Sequence, residues 1–125
     1  MEVHSMPATA RPAYARVKPS LPRLRAQLGF SQEALAQALG VSARTIVRWE
    51  TQASIPSRLA LERVERLAEV LRLAEQLFPG SALAAWFRTP NPTLGGRTPV
   101  DVMATRGGLD EIFHLLGRMA WGIPT

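Results

Sequence analysis

Leu21, Leu24 and Leu28 lie three and four residues apart, the spacing that lines one face of a helix. Ser20 stands where an N-cap would, Pro22 falls in the first turn, and Gly29 ends the run. The same grammar then repeats. Ser31 caps a second predicted helix that turns Leu35, Ala38 and Leu39 inward, and Gly40 can take the left-handed conformation that stops it. Ser42 caps a third, running to about Thr51, with Ile46 and Trp49 on its inner side. Pro56 opens a long helix that ends near Phe78 and carries Val64, Leu67, Leu71, Ala74 and Phe78 at alternating spacings of three and four. Its other face alternates arginine and glutamate, with Glu62 close enough to Arg63 and Arg66 for surface pairing. Pro79-Gly80 terminates it, and Ser81 caps a short helix through Phe87.

The stretch from Trp86 to Asp101 breaks the rhythm. It holds two large aromatics, Pro90, Pro92 and Pro99, and the pair Gly95-Gly96, so it cannot be one regular element. A rigid, shaped loop between helices is the expectation, and such loops present surfaces to partners. Trp86 and Phe87 read as core, and Gly95-Gly96 as a turn requirement, since no strand precedes the pair and no Gly-Lys-Ser follows it. Helix resumes at Thr98-Pro99-Val100-Asp101, where Thr98 caps, Pro99 takes the first position and Asp101 can bond back to the cap. Gly107-Gly108 breaks that helix. Asp110 and Glu111 then favour the positive end of a last one, which buries Leu109, Ile112, Leu116 and Met119. The tail is Trp121 to Thr125, and residues 1–19, with three prolines and no helical period, read as a flexible arm. The pattern is all-α, with no strand and no internal repeat.

Composition narrows the chemistry. The 125 residues include no cysteine and only two histidines, His4 and His114, which leaves disulfides out and a multi-histidine metal site without support. No apolar run approaches the roughly 20 residues of a membrane span, and the first residues lack a signal-peptide core, so a cytoplasmic protein is expected. Fourteen of the fifteen basic residues are arginine, and residues 1–55 hold seven basic against three acidic side chains, while the remainder is nearly balanced. That bias suits a first half that meets phosphate. Asp101, Asp110 and Glu111 are explained by helix starts, and nothing assembles into a nucleophile and base, a carboxylate pair or a metal cluster. The expectation is a protein that is not an enzyme and needs no cofactor.

Residues 31–50 meet the demands of a helix-turn-helix together. Ala36 is small where two helices nearly touch, Gly40 permits the tight turn, and Leu35, Val41, Ile46 and Trp49 lock the crossing. This segment resembles the Xre/Cro-like helix-turn-helix family. The resemblance implies a recognition helix whose early residues Ser42, Ala43, Arg44 and Thr45, with Arg48 one turn on, face base edges, and a Gln32 that meets phosphate. Trp49 reads as packing rather than DNA contact, and Glu33 and Glu50 as solvated or paired with arginines.

From Trp86 onward the positions Trp86, Phe87, Pro90, Asn91, Leu94, Gly95, Gly96, Thr98, Pro99, Val100 and Asp101 reproduce a signature, followed by Gly108, an apolar helix and the pair Gly122-Ile123. This part resembles the toxin-binding domain of the Xre/MbcA/ParS antitoxins. The resemblance implies a partner, a cognate RES-domain toxin that destroys NAD, neutralised when the C-terminal module covers its active-site entrance. The residues expected to bind it are Asn91, Leu94, Arg97, His114, Arg118, Met119, Trp121, Gly122, Ile123 and Pro124.

The sequence therefore predicts an all-α chain in three parts. An arm over 1–19 precedes an Xre-like helix-turn-helix domain with its long helix over 20–78, and a small helical toxin-binding domain fills 79–125. The expected function is a type II antitoxin that also binds operator DNA as an autorepressor, a homodimer within a toxin–antitoxin hetero-oligomer. The alternative is a stand-alone Xre/Cro-like repressor whose C-terminal half only dimerises. The long helix is the candidate either for the dimer interface or for a shared core.

Overall fold

The computed structural model of the chain describes residues 21–122. Among them are seven α-helices, α1 (Leu21–Leu28), α2 (Gln32–Leu39), α3 (Ala43–Glu50), α4 (Arg58–Leu77), α5 (Ser81–Arg88), α6 (Pro99–Met103) and α7 (Gly108–Trp121), with a 3-10 turn at Pro92–Leu94. The described residues contain no strand. The expected cap at Ser20 and the arm over 1–19 lie outside the described residues.

Hydroxyl caps place most of the helix starts. The side chains of Ser31, Ser42 and Thr98 accept the backbone N–H of Ala34, Thr45 and Asp101, as the sequence predicts. Each such cap is worth about 1 kcal/mol. At the end of α2, Gly40 sits at φ 71°, and Val41 N–H bonds back to Ala36 O at 2.9 Å, so the turn is closed before α3 begins.

Two starts differ from expectation. Pro56 does not open α4; Ser57 stays extended and its hydroxyl accepts Ala60 N–H, which moves the start to Arg58. The hydroxyl of the very next residue outcompetes a proline that offers no cap. Ser81 is not a cap but the first residue of α5. Gly80, at φ 55°, takes the cap position without a side-chain bond, and carbonyls of Pro79 and Gly80 receive the first N–H groups instead.

The helix-turn-helix and the C-terminal half share one core. Buried residues from Leu21 to Leu116 form a single cluster. The helix α4, about 30 Å long, is its axis. It packs on α1, α2 and α5 and makes its largest contact with α7. Accordingly Ala60, Val70 and Leu73 are buried beside the expected Val64, Leu67, Leu71 and Ala74, and the apolar face is wider than one stripe. The inner face of α4 thus belongs to the shared core. Around it, α1 meets α5 and α2 meets α6. Phe78 stacks on Trp86 at 5.4 Å, Trp86 stands edge-on to Phe87, and Phe87 edge-on to Phe30, an aromatic chain that joins the end of α1 to the ends of α4 and α5. Phe87 is fully buried and Trp86 half-buried. Arg88 donates to the carbonyl of Gly29, a second tie between the halves.

Arginines on α4 also reach beyond their own helix. Arg63 donates to Leu39 O at 3.1 Å and caps the carbonyl end of α2. Arg66 bridges to Asp110 at 3.2 Å and to Glu69 at 3.5 Å, and its guanidinium lies 4.1 Å above the Phe113 ring. The expected pairs with Glu62 are not formed, because partners on neighbouring elements claim both arginines. Met119 also departs from expectation. It continues the stripe of Ile112 and Leu116, but the body that would cover it has ended, and it remains 42% exposed.

Candidate nucleic-acid and toxin interfaces

One candidate surface is α3 with the start of α2. Ser42 and Thr45 are tied to each other: the Ser42 hydroxyl accepts Thr45 N–H at 3.1 Å, and the two hydroxyls lie 2.9 Å apart. That pair fixes the first turn of α3. Arg44 and Arg48 are exposed, one turn apart on the side opposite buried Ile46 and Trp49, while Ala43 is half-buried between them and the body. No ion pair holds either arginine among the described residues. Two free guanidinium forks on one face of a helix suit bidentate contacts to guanine edges or phosphate.

Gln32 is positioned by a network that spacing could not reveal. Its Nε2 donates to Glu50 Oε1 at 3.0 Å, and Arg25 Nε donates to Glu50 Oε2 at 3.0 Å. Arg25 lies on α1, Gln32 on α2 and Glu50 on α3, so one carboxylate joins three helices behind the recognition surface. Its side chain is only 10% exposed. Removing one partner of such a group leaves the others unsatisfied. Glu50→Ala is expected to cost about 2 kcal/mol of stability, read as an earlier urea midpoint. An unchanged midpoint would show that the carboxylate holds nothing.

The second candidate surface is the loop and the far end of α7. Asn91 knots the loop. Its side chain accepts Thr93 N–H at 2.9 Å, its N–H donates to Arg97 O at 3.0 Å, and its carbonyl receives the N–H groups of Leu94 and Gly96. Gly95 and Gly96 both have positive φ, 69° and 83°, with nothing against them, so the pair answers to the turn. Leu94 is 3% exposed and pins the loop to the core, away from solvent. Arg97 is exposed, donates through Nε to Leu94 O at 3.0 Å, and lies 3.9 Å from Glu111.

On α7, His114, Arg118 and Trp121 follow at spacings of four and three, which puts them on one outward face. His114 is exposed and edge-on to Phe113, and Arg118 is half-buried. Trp121 is 59% exposed. Its indole lies along Gly117; a Cβ there would stand 3.2 Å from the ring. A glycine in mid-helix costs about 1 kcal/mol relative to alanine, and here it makes room for the indole to lie flat. Gly122 ends the helix at φ 65°. Ile123 and Pro124 lie outside the described residues. Among the described residues no cluster of histidine and carboxylate side chains could hold a metal ion, and no helix is long and apolar enough to cross a membrane.

Both halves match known families. Residues 73–122 match the model of the antitoxin Xre/MbcA/ParS C-terminal toxin-binding domain, and residues 23–78 match a helix-turn-helix model. The chain is 28% identical over 97 residues to the mycobacterial cidal antitoxin MbcA of Mycobacterium tuberculosis, covering 78% of this chain and 85% of that protein. It is 31% identical over 91 residues to antitoxin Xre of Yersinia enterocolitica, covering 71% of this chain and 62% of that protein. The fold is similar to a chain in the crystal structure of the M. tuberculosis MbcT–MbcA toxin–antitoxin complex, with a TM-score of 0.66 and 25% identity, covering 87% of this chain and 97% of that one. A helix-turn-helix fused through one core to this C-terminal domain places the chain in the Xre/MbcA/ParS family of antitoxins.

Proposed function

We propose that this antitoxin neutralises a cognate RES-domain toxin, an NAD-degrading enzyme, by laying its C-terminal module over the toxin's active-site entrance. It also binds its own operator as an autorepressor. It acts in the cytoplasm, as a homodimer within a toxin–antitoxin hetero-oligomer. Residues 20–78 carry the DNA-reading part and residues 79–125 the toxin-holding part. The observation that carries the reading is the outward face of α7, where His114, Arg118 and a Trp121 indole propped on Gly117 end a rigid helix. Tryptophan and arginine are the types that anchor interfaces. The likeness to a chain solved in the MbcT–MbcA complex supports a toxin as the occupant.

Each part of the chain has a task. The knot at Asn91 and the anchor at Leu94 set the loop beside α7, so the surface is shaped before the toxin arrives and little ordering entropy is lost. On α3, Arg44 and Arg48 supply base or phosphate contacts, and the Glu50 network holds Gln32 at the start of α2 for phosphate.

Co-expression with the product of the neighbouring gene tests the whole reading. Growth is restored, cellular NAD is preserved and the two proteins co-purify. A falling NAD level with no co-purification would leave a plain repressor. For the DNA part, Arg44→Ala and Arg48→Ala are each expected to cost about 1–3 kcal/mol in operator binding. Gel shifts at physiological salt that match the parent protein would remove α3 from the DNA.

A further inference from the structure

We infer that the face carrying Val47, Ile55 and Leu59 is the seam at which two copies of this chain pair. The inference rests on the reading of the protein as a DNA-binding homodimer, and it gives that dimer its location. Five large apolar side chains stay exposed among the described residues. Met119 and Trp121 stand at the end of α7, in the toxin surface. The other three follow one another along the chain, Val47 on the outer side of α3, Ile55 in the connector and Leu59 in the first turn of α4, at 40%, 54% and 63% exposure. Exposed apolar residues scattered singly need no explanation, but three between the recognition helix and the first turn of α4 call for one.

The surface is self-complementary in shape and in charge. Leu59 stands at the rim of a depression of about 240 Å³ whose wall includes Leu39, Val41 and Ala60. A knob beside a hollow is what a two-fold contact requires, since each copy's knob can then enter the other's hollow. Arg58 and Glu62 flank Leu59 one turn apart, both exposed, and neither takes an ion pair among the described residues. A two-fold axis near Leu59 sets Arg58 of one copy against Glu62 of the other, twice. DNA would match only the arginine and would be repelled by the glutamate.

Operator reading also demands a second copy. The helix α3 has eight residues, about 12 Å, and reaches too few base pairs to specify a site alone. A second recognition helix one turn of DNA away completes the reading. Three partly exposed side chains fall well short of the ~800 Å² per partner of a stable dimer. The free chain therefore pairs weakly, with a dissociation constant on the order of 0.1–1 mM, and the operator holds both copies in place.

Sedimentation equilibrium of the full chain, without DNA or toxin, tests this independently of the functional reading. The parent protein shows concentration-dependent dimer, and Leu59→Glu weakens it by about tenfold or more. Arg58→Glu alone and Glu62→Arg alone also weaken it, because each sets like charges against each other. An equal mixture of those two variants restores association, since every altered charge then meets its opposite. Far-UV circular dichroism of all three variants stays that of the parent. A chain that is monomeric throughout, a Leu59→Glu variant that dimerises normally, or a mixture no better than its components would each overturn the seam. Loss of DNA or toxin binding by Leu59→Glu with dimerisation intact would give the face to that other occupant and overturn it equally.

Discussion

Gly108→Ala is expected to cost the fold about 3 kcal/mol or more, read as a large drop in urea midpoint. A Cβ at this position would stand 1.6 Å from Val102 O and 2.5 Å from Val102 C. Both are backbone atoms, and they cannot swing aside as a side chain would. The chain is held there by its own bonds: Gly108 N–H donates to Thr105 O at 3.0 Å, and the Thr105 hydroxyl donates to Val102 O at 2.6 Å. The missing side chain lets the start of α7 pass over the end of α6. The preceding glycine is the control. Gly107 has φ 77° with open space around it, so Gly107→Ala costs only the left-handed conformation, about 1 kcal/mol. A domain of this size is stable by about 5–15 kcal/mol, so the first variant is seriously weakened and the second barely. Equal midpoints for the two would refute the close approach.

Deleting Trp121 to Thr125 is expected to weaken toxin neutralisation by about a hundredfold or more while leaving operator binding and thermal stability near those of the parent. Interface anchors of this kind are worth about 2–4 kcal/mol. Trp121 contributes little to the fold, since more than half of it faces solvent. Its ring lies against Gly117, which loses only a cover. Trp121→Ala, which keeps the remaining residues, separates the indole from the tail and is expected to give most of the loss. Titration of toxin activity against each variant measures this. Full neutralisation by the shortened chain would mean that the toxin is held elsewhere.

Much of the architecture was legible because it is written locally. Three hydroxyl caps, the glycine stop after α2 and the leucine spacing of α1 each lie within a few residues of what they control. The helix-turn-helix was legible for the same reason, as was the loop signature from Trp86 to Asp101. What escaped depended on neighbours distant in sequence. Arg25 and Glu50 meet across α1 and α3 with no periodic relation between them. Glu62 looked like the partner of Arg66, but Asp110 and the Phe113 ring lie closer in space. Ala60, Val70 and Leu73 became core because α4 is covered from several sides, and a pattern sought along one stripe does not register that. At Pro56 and Ser81 two local signals competed one residue apart: the Ser57 hydroxyl won the first with its cap bond, and Gly80 took the second at positive φ without one. Among the candidate contact residues, Leu94 matched the family signature without showing which way it turns; only packing reveals that it anchors the loop from inside.

The aromatic chain from Phe30 to Phe78 has a consequence for how this molecule fails. With Phe87 buried between the two halves and Arg88 fastened to Gly29, neither end keeps its shape if the other melts. A protease that catches the chain open, or a warm pulse that opens it, finds no surviving fragment to spare. A partner held at either end would lose its site in the same unfolding event.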